Sequence, residues 1–101
     1  MSDENKRYWG EITQGVNEVI SYTVKFGKWG TAVSSPTNYL YDSLDNDVSS
    51  TKLTGSASMS DTDVITSSVT GLIEGETYRF LQRATVDGQT MEAWGYVIGE
   101  N

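Results

Sequence analysis

Hydrophobic and polar residues alternate along much of this chain with a period of two. The clearest case is residues 18–26, where Ile20, Tyr22, Val24 and Phe26 share one face and Ser21, Thr23 and Lys25 share the other. A period of two is typical of a β-strand with one buried face. The same reading predicts about seven strands, separated by turn residues: 7–13, 18–26, 37–41, 51–59, 64–69, 77–86 and 90–98.

Turn residues support several of these boundaries. Asp87 and Gly88 lie between two β-rich runs, and this pair is a strong signal for a two-residue hairpin. Pro36 precedes the third strand, where its missing N–H costs little. Residues 14–17 are predicted to form a turn, and residues 42–50 an acidic loop. Residues 51–59 consist of small and hydroxyl side chains around Gly55, which favours a weakly packed edge strand.

The composition limits the possible chemistry. The chain has 101 residues, which predicts a single domain over residues 1–101 with residues 1–6 as a flexible N-terminal arm. Short runs of Val, Ile, Tyr, Trp and Leu among abundant Ser and Thr predict that this domain is all-β. It contains no Cys and no His, so thiol nucleophiles, thiolate zinc sites and histidine bases are excluded. Its net charge of −7 disfavours binding to phosphate backbones. No signal peptide or membrane segment is expected. We therefore expect no enzyme, no cofactor and no partner that is a nucleic acid or a membrane.

Acidic residues provide two candidate sites, and both have simpler interpretations. The loop around Asp42, Asp45 and Asp47 could offer oxygen ligands to calcium, but it lacks the spacing of a calcium-binding loop. A solvated turn is the favoured interpretation, and no metal site is predicted. A pair of catalytic carboxylates would need a cleft, for which a small domain has little room. No catalytic residue is predicted.

Aromatic residues are the stronger candidates. In the last predicted strand, Trp94, Tyr96 and Ile98 share one face and Met91, Ala93 and Val97 share the other, so one apolar face could be an interface. One tryptophan, Trp29 or Trp94, is expected in the core, and Trp9 is expected to face a partner. Arg79 and Arg83 are expected to pair with acids on the solvated face of their strand. The predicted partner-binding residues are Tyr8, Trp9, Trp29, Trp94 and Tyr96.

Residues 69–80 carry a further motif. Leu72, Gly75 and Tyr78 join one short strand to the next in the manner of a tyrosine corner, in which a Tyr hydroxyl bonds to upstream backbone. This stretch resembles the end of a fibronectin type III or immunoglobulin-like module. The resemblance implies a single antiparallel immunoglobulin-like sandwich of about seven strands, and it says nothing about activity.

A narrower resemblance is to small immunoglobulin-like proteins of tailed-phage virions. It rests on residues 18–26 followed by Trp29, on the later Gly75 and Tyr78, and on the terminal hairpin. It implies a non-catalytic structural component (neck, tail adaptor or capsid decoration) that assembles with other virion proteins as a symmetric homo-oligomer. Such a protein would be assembled in the host cytoplasm and located in the virion. The alternative is a carbohydrate- or receptor-binding module that uses Trp29, Tyr39, Tyr41 or Trp94 as stacking platforms.

Overall fold

A computed structural model describes residues 7–101, so the predicted arm of residues 1–6 lies outside the described residues. Strands make up 56% of the structure and helices 7%, which confirms the all-β class. The nine strands of the described chain are β1 (Tyr8–Gly15), β2 (Thr23–Val24), β3 (Val33–Tyr41), β4 (Leu53–Thr54), β5 (Ser58–Ser60), β6 (Asp63–Ile65), β7 (Ser68–Val69), β8 (Thr77–Val86) and β9 (Gln89–Glu100). A 3-10 turn (Phe26–Lys28) and one helical turn, α1 (Ser49–Lys52), complete the elements. No helix in this part of the chain has the length and apolar character needed to cross a membrane.

The largest sheet has four strands in the order β1-β9-β8-β3. The β8–β9 pair is the predicted hairpin, and Asp87 and Gly88 at its turn have φ angles of 49° and 84°. Two positive φ angles are what a type I′ turn requires. β3 is antiparallel to β8, but β1 runs parallel to β9. The prediction of a wholly antiparallel fold is therefore wrong at this edge. No tight hairpin joins β1 to β9, so the turn geometry does not fix their relative direction.

The second layer consists of short strands. It contains β2-β6-β5 and β4-β7, with an isolated bridge between Ile20 and Val69. The predicted strand 18–26 is interrupted because the Tyr22 N–H donates to the Thr66 hydroxyl (2.9 Å) instead of to a backbone carbonyl. The predicted strand 51–59 is divided around Gly55, whose φ is 80°. This layer packs on the four-stranded sheet, an arrangement compatible with a β-sandwich.

The core between the layers has two apolar clusters. Cluster 1 contains Val24, Phe26, Val64, Ala84, Val86 and Ala93. Cluster 2 contains Leu40, Val69, Leu72, Tyr78, Phe80 and Val97. Both include residues from the two layers, which is what joins them. Trp9 packs against both clusters.

Polar side chains lie between the two clusters. Gln82 follows Phe80 and precedes Ala84 on the inward face of β8, and it is fully buried. Its Oε1 accepts a hydrogen bond from Trp9 Nε1 (2.7 Å). Beside it, Asn38 Nδ2 donates to the Ser67 hydroxyl (3.0 Å) and Asn38 Oδ1 accepts from the Ser67 N–H (2.7 Å). The Asn38–Ser67 bonds join the two layers, and they favour one arrangement of the layers because buried polar groups are costly when unpaired.

The motif at residues 72–78 forms a defined corner. Tyr78 is 1% exposed, and its hydroxyl accepts a hydrogen bond from the Ile73 N–H at 3.1 Å. Leu72 is buried beside it in cluster 2. Gly75 has a φ of 85° and donates its N–H to the Gly99 carbonyl. This corner attaches the connection before β8 to the end of β9.

Three exposed carboxylates stabilise loops as hydrogen-bond acceptors. Their principal donors are Asn46 for Asp42, Ser49 for Asp47 and Ala32 for Asp87. In each case these hydrogen bonds lower the pKa of the carboxyl below its ordinary value of 3.8. A hydrogen bond to the ionised form favours that form, so the folded state prefers these groups charged.

This linkage predicts an acid-dependent loss of stability. A carboxyl whose pKa is lower in the folded state stabilises the fold fully above the unfolded value, and the contribution disappears as the pH falls through the folded value. We expect the urea midpoint to fall as the pH is lowered from about 5 to about 2. A D42N/D47N/D87N variant should show a shallower dependence in the same titration. Equal slopes for the variant and the wild type would contradict this assignment.

Candidate functional site

The outward side of the four-stranded sheet carries a continuous group of aromatic and apolar side chains. Strand register places four of them in one row, because Tyr8 is opposite Trp94, Trp94 is opposite Leu81 and Leu81 is opposite Tyr39. The neighbouring row contains Tyr96 and Tyr41 on either side of Arg79. We call this surface the outer patch: Tyr8, Tyr39, Tyr41, Leu81, Trp94 and Tyr96.

No strand in the described part of the chain covers the outer patch. Both core clusters draw on the opposite side of the sheet, where Tyr78, Phe80 and Val97 are buried. Tyr8 is 45% exposed, and the other five patch residues are half-buried. The ring centroids of Tyr8 and Trp94 are 4.6 Å apart, and those of Trp94 and Tyr96 are 5.7 Å apart. Neighbouring rings therefore contact one another, and part of the surface of each patch residue remains accessible.

Two arginines lie among these rings. The Arg79 guanidinium is 4.8 Å from the Tyr41 ring centroid, and the Arg83 guanidinium is 5.3 Å from that of Tyr39. Arg83 also binds Glu92 Oε2 (2.6 Å from Nη2), and this hydrogen bond raises the pKa of Arg83 above its ordinary value. Arg79 is 3.6 Å from Asp45. The predicted pairing of these arginines with acids is confirmed. These cation–π contacts hold the two guanidinium groups close to the aromatic rings of this face.

Three of the five predicted partner-binding residues come together here: Tyr8, Trp94 and Tyr96. Trp29 lies elsewhere, half-buried, with its ring 5.1 Å from that of Phe26 at cluster 1. The patch residues that the partner-binding prediction missed are Tyr39, Tyr41 and Leu81. The sequence pattern that could have identified these three residues is the alternation in β3 and β8, which puts them on the face opposite the core.

Trp9 does not face outward toward a partner, as the sequence analysis predicts. It was expected to face outward, but its indole points between the layers, bonded to Gln82 and packed over Gly95. The reason is a register irregularity between Tyr8 and Gly10, where Gly10 has a φ of 109°. Simple alternation would group Trp9 with Glu11. A bulge reverses the phase, so Trp9 shares the inward side with Ile12.

No protein-family model matches this chain, and no curated protein or solved structure matches it. The interpretation of the outer patch therefore depends on its geometry and chemistry.

The acidic loop has an internal structure of its own. Asp42 Oδ1 accepts hydrogen bonds from the Leu44 and Asn46 N–H groups, each at 2.9 Å. Its carboxylate is therefore engaged in closing the turn. Within residues 7–101, no three His, Cys, Asp or Glu side chains are grouped as metal ligands. Two glutamates elsewhere are engaged in the same way: Glu92 pairs with Arg83, and Glu18 accepts a hydrogen bond from the Gly15 N–H.

Proposed function

We propose that this protein is a non-catalytic interaction module that binds another protein through the outer patch. One observation carries the proposal: a row of aromatic and apolar side chains crosses all four strands of the sheet, and no strand of the described chain covers it. Trp, Tyr and Arg are the residues that most often dominate protein–protein binding energy. The outer patch contains Trp and Tyr, and Arg79 and Arg83 lie against its Tyr41 and Tyr39 rings.

The charge on this face supports a protein partner. The chain has a net charge of −7, but beside the patch Arg79 and Arg83 are matched by Glu11 and Glu92 on the same face. A nearly neutral aromatic surface can be buried at a smaller electrostatic cost than the rest of this acidic molecule.

We further propose that the partner is a virion protein of a tailed phage and that this chain is a neck, tail-adaptor or decoration component. The support is the immunoglobulin-like resemblance described above, together with a free-standing sheet face. In a symmetric homo-oligomer the same contact is repeated by every copy, so a modest interface becomes effective. Assembly would occur in the host cytoplasm and the finished protein would be located in the virion.

Light scattering of the purified protein, combined with mass spectrometry of intact particles from its source, tests the proposal. We expect a defined oligomer or incorporation into particles. Trp94→Ala should weaken that association by at least about tenfold, because truncation of a central aromatic anchor typically costs more than about 1.4 kcal/mol. Thr85→Ala, on the same sheet face outside the patch, is the matched control. A monomeric wild type that is absent from particles would contradict the proposal.

The alternative is a carbohydrate-binding surface, since exposed Trp and Tyr rings also stack on sugars. The ring geometry favours protein binding over this carbohydrate-binding alternative. The Trp94 and Tyr96 planes are 88° apart and the Tyr8 and Trp94 planes 39° apart, so the three rings do not form one flat platform. Binding of a monomer to a glycan array, lost in Trp94→Ala, would favour this alternative.

A further inference from the structure

A second surface lies at one edge of the molecule, between the two layers. β1 is the end strand of the four-stranded sheet, and β2 is the end strand of the β2-β6-β5 sheet. The space between them is a groove of about 310 Å³. Its apolar lining includes Trp9, Tyr22, Val24 and Trp29. The groove is therefore separate from the outer patch, which is on the other side of the four-stranded sheet.

Two cations lie at the rim of this groove. Lys25 and Lys28 belong to its lining, and no acidic residue does within the described chain. Lys28 Nζ is 5.1 Å from the Trp29 ring centroid. Within residues 7–101, neither lysine forms an ion pair. On a chain with 14 acids and 7 bases, the charged side chains that line this apolar groove are thus both positive.

The form of the groove indicates the shape of its occupant. Each end strand has one side without a partner strand among the described residues, and an extended segment can hydrogen-bond to such a side. The aromatic lining can accept one apolar side chain of that segment. The two lysines can then pair with carboxylates that flank this side chain. Two lysines on a molecule of this net charge are too few to hold a nucleic acid.

We infer that the groove binds an extended segment of a partner protein in which an apolar residue is flanked by Asp or Glu. This inference rests on the proposed function as an interaction module, and it adds a second contact of different chemistry. The outer patch would bury against a surface, whereas the groove would hold a strand. Two separate contacts to one assembly strengthen each other through effective concentration.

Three peptides test the inference on the full chain. Acetyl-Asp-Glu-Phe-Glu-Asp-amide is the probe, and the matched peptides replace Phe with Ala or all four acids with Asn and Gln. We expect the probe to shift the amide resonances of residues 22–29 in a nitrogen-15 NMR titration. Each matched peptide should bind about tenfold more weakly or worse, since each loses one class of contact.

Variants locate the contact. K25Q/K28Q should weaken probe binding by about fivefold to tenfold, the loss of two exposed ion pairs, and raised salt should do the same. R79Q/R83Q removes the same two charges from the outer face and should leave probe binding unchanged. Circular dichroism confirms that both variants are folded.

The remaining outcomes decide against the inference. A probe that does not bind at millimolar concentration, or binds K25Q/K28Q as well as wild type, overturns it. A concentration-dependent dimer that K25Q/K28Q dissociates would assign the groove to a second copy instead. Octanoate binding without peptide binding would assign it to a small amphiphile. If the probe fails while Trp94→Ala still abolishes assembly, the proposed function stands without this inference.

Discussion

Phe80→Ala is expected to lower the free energy of unfolding by about 3–5 kcal/mol, as for other buried aromatic side chains truncated to alanine. Phe80 has no exposed surface and lies in cluster 2, with its ring centroid 6.5 Å from that of Tyr22. Its cross-strand neighbour on β9 is Gly95, which has no side chain to fill the cavity. Since a domain of this size has a total stability of about 5–15 kcal/mol, the loss would be a large share of it.

Leu81→Ala is the matched control. Leu81 is the next residue on the same strand, but it faces outward in the outer patch. Its truncation should cost under about 1.5 kcal/mol, because a half-exposed side chain leaves no closed cavity. Urea unfolding followed by circular dichroism measures both variants. Similar losses in the two would mean that β8 does not separate core from surface as described. Leu81→Ala should also weaken assembly through the outer patch.

The hairpin was predictable because its signals are local. The predicted strand 77–86 has the bounds of β8, and the predicted strand 90–98 lies within β9. Buried and more exposed positions alternate along the whole of β8, although Leu81 faces outward and Gln82 inward. The turn residues Asp87 and Gly88 fix the register by themselves. Half of the outer patch, including Trp94 and Tyr96, follows from this pattern.

The second layer was less predictable because side chains replace parts of its backbone ladder. Thr66 and Ser67 are buried, and their hydroxyls form hydrogen bonds with backbone N–H and C=O groups. In a regular sheet those backbone groups would pair with a neighbouring strand. Hydroxyl residues compete with strand pairing in this way, and sequence alternation does not show where. The predicted strand 64–69 is thus divided into β6 and β7.

The N-terminal strand shows how one residue changes the site. The sequence does not show whether Tyr8 or Trp9 lies on the same side of the sheet as Ile12, because the bulge at Gly10 separates them from it. Only the parallel pairing with β9 determines it, and that pairing joins opposite ends of the chain. A similar long-range contact explains Gln14, which was predicted to lie in a turn but is fully buried at the end of β1.

Gln14 connects the two layers through its side chain. Its Nε2 donates to the carbonyls of Val69 (2.8 Å) and Glu18 (3.0 Å), and its Oε1 accepts a hydrogen bond from the Tyr22 hydroxyl (2.6 Å). Burial raises the pKa of Tyr22 above its ordinary value, which favours the protonated hydroxyl that donates this hydrogen bond. All hydrogen-bonding atoms of this amide therefore have partners, which is the condition for a stable buried polar group.

Gln14→Leu is expected to destabilise the fold by about 2–4 kcal/mol, although leucine is more hydrophobic than glutamine. The substitution removes three hydrogen bonds, and it leaves the Glu18 carbonyl and the Tyr22 hydroxyl without these partners. Tyr22→Phe should cost about 1–2 kcal/mol, since it leaves Oε1 unpaired. In the double variant the unpaired hydroxyl is absent, so the total should be smaller than the sum by about 1 kcal/mol. Urea unfolding of the four proteins closes this cycle. Strict additivity would show that the Gln14–Tyr22 hydrogen bond does not couple the layers. The expected non-additivity would show that a polar contact, rather than apolar packing, holds the two layers together at this edge of the domain.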